Sequence, residues 1–154
     1  MAIPTHSVGR WTRFEASAEL ALFYVDASAL VKLVREEPES PALRRFLSDA
    51  DLLSCELVLT ELPRAIRRAS AIDPRFPLAQ LMSRAGELLD SLALLPLDRA
   101  LLLAAGALAE PAVRALDAIH VAAAVDLSPL DAFVSYDERQ GAAARLAGLR
   151  TVRP

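Results

Sequence analysis

Short apolar runs alternate with longer amphipathic segments along this chain. Four runs have the length and the residue types of strands buried on both faces: residues 22–25, 52–54, 92–97 and 132–135. The segments between them repeat apolar residues every three or four positions, which predicts helices. We therefore predict an α/β fold, a three-layer α/β/α sandwich around a central parallel sheet, to which residues 151–152 could add an edge strand.

Several helix ends are marked by residues with known capping chemistry. Ser40 followed by Pro41 predicts a helix that starts with Ser40 as its N-cap, and Asp98 predicts another N-cap. Gly148 predicts the C-terminal end of the last helix. These signals place the helix boundaries between the predicted strands.

Pro63 complicates the helical pattern of residues 55–69. A proline is harmless in the first turn of a helix but kinks a helix interior. The helix therefore either begins near Thr60, with Thr60 as its cap, or bends just after Glu61. We predict a loop for residues 70–76.

Length and composition limit the kinds of protein that this sequence can form. A chain of 154 residues, 54 % of them apolar, suits one domain with a sizeable core. Cys55 is the only cysteine, which excludes an internal disulfide and a cysteine-based zinc site and predicts a reducing, cytoplasmic location. No apolar run reaches the ~20 residues of a membrane helix. We expect residues 1–21 to be an N-terminal arm or leader before a domain of residues 22–154.

The charge distribution limits how the protein can bind nucleic acid. The net charge of −3 gives no global attraction to phosphates, so such binding has to come from local arginines or bound cations. Arg64, Arg67 and Arg68 form one cluster that could hold phosphates, bind a partner or lie on a solvated helix face. Lys32 is the only lysine among 17 basic residues, a bias that base composition can also explain.

Four acidic residues lie where the predicted fold can bring them together. Asp26 and Asp137 follow the first and fourth strands, and the carboxyl ends of parallel strands share one edge of the sheet. Glu61 and Asp117 lie on helices that pack against this sheet. Gathered carboxylates repel one another unless a cation or protons compensate, and Mg²⁺ and Mn²⁺ prefer oxygen ligands. The pattern predicts a metal site suited to phosphodiester hydrolysis.

Each of these acids also has a simpler interpretation. Asp26 and Asp137 could be ordinary helix N-caps. Glu61 could pair with Arg64 or Arg68 on an exposed helix face. The functional interpretation is stronger for Asp117, because it lies in an apolar segment where a structural acid would need a partner.

Two neighbours of the acids have more ordinary roles. His120 is expected to be a packed, hydrogen-bonded histidine rather than a metal ligand, since only one other histidine, His6, lies in the chain. Ser28 could donate a hydrogen bond to Asp26 or to metal-bound water.

Four segments resemble the signature segments of PIN-domain ribonucleases, and most of all those of the VapC group, the toxins of bacterial toxin–antitoxin pairs. The segments are VDASALVKL (25–33), LTELPR (59–64), LDAIHVA (116–122) and FVSYD (133–137). They occur in the family's order, and the resemblance spans residues 22–154. Two features depart from the family's pattern, namely the additional residues 1–21 and the proline at position 63, close to the second acid.

The resemblance implies an endoribonuclease that depends on Mg²⁺ or Mn²⁺, forms a homodimer, cleaves RNA and is blocked by a small antitoxin protein. The matched acidic quartet is Asp26, Glu61, Asp117 and Asp137. Of these, Asp26, Asp117 and Asp137 are expected to hold the metal, and Glu61 to complete the pocket or orient water. Ser28 matches the family's supporting hydroxyl residue.

Other functions fit the sequence less well. A haloacid dehalogenase-like phosphatase needs a second aspartate two residues after the first, where this chain has Ser28. We find neither a glycine-rich phosphate loop after the first strand nor a nucleophile elbow. The remaining alternative is a catalytically silent PIN-like scaffold that acts by binding RNA or protein.

Overall fold

The computed structural model describes residues 20–73 and 75–154, in which strands and helices alternate as predicted. The elements are β1 (Ala21–Val25), α1 (Ala27–Val34), α2 (Ser40–Leu47), β2 (Ala50–Cys55), α3 (Val58–Ile72), α4 (Leu78–Ser91), β3 (Ala93–Leu95), α5 (Arg99–Gly106), α6 (Ala115–Asp126), β4 (Ala132–Val134), α7 (Glu138–Leu146) and β5 (Thr151–Val152). The predicted arm of residues 1–21 lies outside the described residues, apart from its last two.

The five strands form one parallel sheet in the order β3-β2-β1-β4-β5. Along β1, Phe23 and Val25 point into a core shared with α1, α2, α3 and α4. Tyr24 points the opposite way, into a second core shared with α5, α6 and α7. Because successive side chains of a strand alternate between faces, β1 is buried on both sides. The three-layer α/β/α sandwich is confirmed, and β5 is one of the two edge strands of its sheet, opposite β3.

The register of β1 and β4 brings two predicted acids to one edge of the sheet. Val25 pairs with Val134, so both strands end at the same level. Asp26 directly follows β1, and its backbone N–H donates to the carbonyl of Val134 at 3.2 Å. Asp137 follows β4 after two residues. No helix of the described ranges is both long enough and apolar enough to cross a membrane.

Two helix starts differ from the prediction. Glu39, not Ser40, is the N-cap of α2. The hydroxyl of Ser40 donates to the carbonyl of Lys32 at 2.7 Å and accepts from the N–H of Glu37 at 2.9 Å, so it ties α2 to the preceding loop instead of capping it. The other predicted markers are confirmed, since Asp98 accepts from the N–H of Leu101 and Gly148 has a φ of 89°.

Helix α3 begins before Thr60 and ends later than predicted. Its N-cap is Leu57, so the alternative with Thr60 as the cap is wrong, and Pro63 lies inside the helix, as the other alternative requires. The missing N–H of a proline leaves the carbonyl four residues earlier without its helical partner. That residue is Leu59, which is 48 % exposed, so water can reach this turn. The helix continues to Ile72, through part of the predicted loop.

Candidate active site

All four predicted acids lie at helix N-termini. Asp26 and Asp137 are the N-caps of α1 and α7, and Glu61 and Asp117 lie in the first turns of α3 and α6. The N-terminus of a helix carries a partial positive charge, which stabilises a carboxylate placed there. The fold therefore offsets part of the repulsion among these acids with its own backbone dipoles.

The N-cap interpretation of Asp26 and Asp137 is confirmed. One oxygen of Asp26, Oδ1, accepts from the N–H of Ala29 at 3.0 Å, and Oδ1 of Asp137 accepts from the N–H of Gln140 at 2.9 Å. A carboxylate has several lone pairs on two oxygens. Capping therefore uses only part of each group and does not exclude a role in chemistry.

Asp26 is a buried carboxylate, only 2 % exposed, that hydroxyl groups hold in place. Ser28 Oγ lies 2.7 Å from its Oδ1, and Ser135 Oγ donates to its Oδ2 at 2.7 Å. Burial raises the pKa of Asp26, whereas the hydrogen bonds from Ser135 and Ser28 lower it. The predicted hydrogen bond from Ser28 to Asp26 is thus present. Ser28 Oγ also accepts from the N–H of Tyr136 at 2.8 Å, which joins α1 to the end of β4.

Ser135 is a site residue that the sequence reasoning missed. Its hydroxyl contacts the Asp26 carboxylate, lies 2.9 Å from Oε1 of the buried Gln140, and accepts from the N–H of Asp137 at 3.1 Å. The sequence pattern predicts it only as the last residue of the fourth strand. A polar residue at the carboxyl end of a buried strand, beside the strand that ends at Asp26, is the signal that points to it.

Asp117 lies among other charges in a half-buried position. Burial and the negative charge of Asp137 raise its pKa, the charge of His120 lowers it, and the charge of Glu61 raises it again. Asp117 and Asp137 line one cleft together with Arg114 and Arg139. The negative charges of Asp137 and Glu61 thus act on Asp117 in the direction that the sequence predicts.

Glu61 is paired with a histidine, so the simpler alternative that it pairs with Arg64 or Arg68 is wrong for the described part of the chain. His120 Nε2 lies 2.7 Å from Oε2 of Glu61, and His120 is 1 % exposed. Burial lowers the pKa of His120, but its hydrogen bonds with Cys55 and Glu61 outweigh this and raise it to about 10. The expectation of a packed, hydrogen-bonded histidine is confirmed.

Arginines line both clefts that hold predicted acids. Glu61 and Ser28 line a cleft of about 410 Å³ whose wall also carries Arg64 and Arg68. Both arginines lie on the same side of α3 as Glu61, as their spacing predicts. Arg67 is exposed and does not line this cleft. Each of the two clefts thus carries two guanidinium side chains beside its acids.

The chemistry of these donors fits a hard divalent cation. The available donors are carboxylate and hydroxyl oxygens, while Cys55 is fully buried and both ring nitrogens of His120 are engaged by other side chains. Within residues 20–73 and 75–154, no three His, Cys, Asp or Glu side chains form a preassembled metal site. That Asp26, Asp117 and Asp137 share an ion therefore stays a prediction.

Comparisons with known proteins agree with this fold. The family model described as "PIN domain" matches residues 23–146. Ribonuclease VapC35 of Mycobacterium tuberculosis is 37 % identical over 139 residues, which cover 86 % of this chain and 97 % of that protein.

Two solved structures have a similar fold. Chain PAE2754 of Pyrobaculum aerophilum superposes with a TM-score of 0.61 at 21 % identity, over 86 % of this chain and 84 % of its own. A chain of VapBC2 from Rickettsia felis, solved bound to a DNA fragment from its promoter, superposes with a TM-score of 0.60 at 13 % identity, over 86 % of this chain and 98 % of its own. At these identities the likeness concerns the fold alone.

Proposed function

The chain belongs to the PIN-domain family, and on this premise we propose that it is a divalent-metal-dependent endoribonuclease that acts as the toxin of a toxin–antitoxin pair. The observation that carries the proposal is the placement of four acids at four helix N-termini around one edge of the sheet. The relative in M. tuberculosis is named a ribonuclease, which favours RNA as the substrate. We assign this activity to residues 22–154, with residues 1–21 as an arm.

Asp26, Asp117 and Asp137 would hold Mg²⁺ or Mn²⁺, since their oxygens suit a hard ion. When bound, such an ion neutralises phosphate charge and makes water a better nucleophile. Ser28 and Ser135 keep the Asp26 carboxylate in one orientation, and their hydrogen bonds favour its ionised form. Glu61, at the wall of the adjoining cleft, would complete the pocket or orient the attacking water.

The flanking arginines would bind the RNA backbone. Arginine contacts phosphate through two parallel N–H donors, and such contacts fix the register of a nucleic acid without reading its sequence. Arg64 and Arg68 line the cleft that holds Glu61, and Arg114 and Arg139 line the cleft that holds Asp117 and Asp137. An RNA strand that spans both clefts would place one phosphodiester between them. This local arrangement is what a protein of net charge −3 requires.

We propose an antitoxin protein as the second partner. The structural neighbour from R. felis is a VapBC complex, which favours a pair of this kind. The cleft beside Glu61 also has an apolar part, formed by Val31, Ala65 and Leu116, beside its arginines. A peptide segment with both apolar and acidic side chains would fit this cleft and cover the acids.

A homodimer is the third part of the proposal. Leu102 and Leu103 on α5 are 47 % and 62 % exposed, and Val125 on the adjoining α6 is 43 % exposed. Exposed apolar side chains on neighbouring elements favour an interface between protein surfaces. Light scattering on purified protein tests this, and we expect a dimer mass that Leu103→Glu reduces to that of a monomer.

RNA cleavage by purified, antitoxin-free protein tests the enzymatic proposal. We expect cleavage of a broad RNA panel in Mg²⁺ or Mn²⁺, its loss in chelator, and its loss in Asp26→Asn and Asp117→Asn. Asp90→Asn, on the exposed side of α4, is the matched control and should retain activity. Circular dichroism establishes that each variant is folded.

Two outcomes would count against an enzyme. Cleavage that survives both Asp26→Asn and Asp117→Asn would remove these acids from the reaction. A well-folded wild-type protein that binds RNA from the panel but cleaves none would favour the silent scaffold.

A further inference from the structure

Hydrogen bonds connect Tyr24, His120 and Glu61 in a series that we call the hydrogen-bond chain. His120, on α6, lies one turn after Asp117 and is almost fully enclosed, with 2 % of its side chain exposed. The hydroxyl of Tyr24, a fully buried residue of β1, is 2.8 Å from its Nδ1, and Glu61 Oε2 is 2.7 Å from its Nε2. The three side chains come from three different elements, β1, α6 and α3. The hydrogen-bond chain therefore runs from the centre of the sheet to the wall of the cleft.

The hydrogen-bond partners of His120 determine which of its ring nitrogens carries a proton. A carboxylate only accepts hydrogen bonds, so Nε2 has to donate to Glu61. Nδ1 then accepts from the Tyr24 hydroxyl in the neutral imidazole and donates to it in the imidazolium, because a hydroxyl can do either. Sγ of Cys55, 3.7 Å from the same nitrogen, completes its surroundings. Glu61 thus receives the same hydrogen bond in both protonation states of the ring.

The Glu61 side chain has rotational freedom that a hydrogen bond from His120 restricts. Its side chain is 21 % exposed and has three rotatable bonds, so without a partner it would sample several rotamers at the cleft wall. A second residue that holds a reacting group in one orientation removes this freedom before the substrate binds. The nearby arginines Arg64 and Arg68 do not pair with Glu61 within 4.0 Å and remain available to other groups.

We infer that His120, itself oriented by Tyr24, is a positioning residue that holds the Glu61 carboxylate for RNA cleavage. This inference rests on the proposed function, because it gives Glu61 a role in the reaction. A simple structural link between α3 and α6 would use the same contacts. The two possibilities differ in what happens when Glu61 is already disabled.

The test compares kcat and KM for RNA cleavage among matched variants. Tyr24→Phe removes one hydroxyl and should lower kcat about 3- to 10-fold, and His120→Leu should lower it about 10- to 100-fold, as for other groups that orient a reacting ligand. We expect KM to change less than about twofold, because phosphate-binding arginines are untouched. His120→Gln retains an N–H donor and should recover part of the loss. Ser40→Ala removes a buried hydroxyl that is not part of the hydrogen-bond chain and should leave kcat unchanged.

A double-mutant cycle separates positioning from a structural role. In a Glu61→Gln background, His120→Leu should lower the residual activity no further, because the group that it positions is already disabled. An equal loss in both backgrounds, or a folded His120→Leu protein with unchanged kcat, would overturn the inference.

The ring nitrogens give a readout that does not depend on activity. Nitrogen-15 spectra of the wild-type protein should show a protonated Nε2 between about pH 6 and pH 9, with a shift that changes in Glu61→Gln. Detection of the tautomer with its proton on Nδ1 alone would overturn the inference. A wild-type protein that cleaves no RNA would instead count against the proposed function, and the nitrogen shifts would still decide whether His120 holds Glu61.

Discussion

Ser135→Ala tests how strongly the stability of the protein depends on one hydroxyl at the carboxyl edge of the sheet. The hydroxyl donates to Oδ2 of the buried Asp26 at 2.7 Å and lies 2.9 Å from Oε1 of Gln140, a side chain that is 1 % exposed. Alanine removes both contacts and also the acceptor of the Asp137 N–H. The substitution therefore leaves a buried charge with one donor fewer and the Asp137 N–H without its acceptor.

The expected cost follows from these contacts. A hydrogen bond to a charged group contributes about 1.5–3 kcal/mol, and the Asp137 N–H left without its acceptor costs about 1 kcal/mol or more. Together they predict a decrease of roughly 2–4 kcal/mol in the free energy of unfolding. For a domain of this size, each kcal/mol lowers Tm by about 2–4 °C, so a decrease of roughly 5–15 °C is expected.

The pH dependence of this loss identifies its cause. Burial raises the pKa of folded Asp26 above its unfolded value, so its ionisation reduces stability as pH rises through the folded pKa. The hydrogen bond from Ser135 counters that rise, and without it the penalty at neutral pH is larger. The stability difference between wild type and Ser135→Ala should therefore be larger at pH 7 than near pH 4.

Urea denaturation at both pH values, in chelator, measures this difference. Ser91→Ala is the matched control, because its hydroxyl is exposed and bonds only to the carbonyl of Leu88. We expect that control to change stability by less than about 0.5 kcal/mol. A Ser135→Ala deficit that is the same at pH 4 and pH 7 would refute the link to the Asp26 charge.

Three further substitutions have expected outcomes that thermal denaturation in chelator can check. Asp117→Asn should raise Tm at pH 7 while abolishing RNA cleavage, because the folded protein raises the pKa of this acid and its ionisation is unfavourable there. The gain should disappear below the unfolded pKa, where the acid is neutral in both states, and a lower Tm at pH 7 would contradict the repulsion. Gly86→Ala, with no atom within 4 Å of the added Cβ in α4, should raise stability by about 0.5–1 kcal/mol. Gly148→Ala should instead cost about 1–2 kcal/mol, because φ is +89° at that position, and equal effects of the two would contradict this difference.

The fold was predictable because each strand of a parallel sheet is covered on both faces. The apolar run that ends at Val25 and the one that ends at Val134 carry this signal without any knowledge of their partners. The positions of Asp26 and Asp137 follow from it, since both residues come directly after such runs or nearly so. Local pattern and global architecture agree at these points.

The parts of the site that depend on three-dimensional geometry were not predictable. Pairing of Glu61 with His120, rather than with Arg64 three residues away, depends on how α3 and α6 pack on the sheet. The contact of Ser135 with Asp26 joins residues that are 109 positions apart. Sequence spacing describes one helix or strand at a time and contains no information on such distances.

Helix starts were the other feature of the structure that the sequence did not predict correctly. Ser40 has the side chain of an N-cap, but its hydroxyl is used by the loop that joins α1 to α2, and the cap shifts to Glu39. Pro63 left open whether α3 starts near Thr60 or passes through the proline, and the packing of Val58 and Leu62, both fully buried, favours the helix that passes through it. Burial of apolar side chains outweighed the local cost of the proline.

Location of a bound Mn²⁺ ion most directly tests whether the acids at the sheet edge act as one metal site. Crystals of the wild-type protein grown or soaked in Mn²⁺ would give the ion's position from its anomalous scattering. We predict a peak within coordination distance of carboxylate oxygens of Asp26, Asp117 and Asp137, and its absence in crystals of Asp117→Asn. A peak at other residues, or none at these acids in crystals of protein that cleaves RNA in the same Mn²⁺ solution, would contradict the shared site.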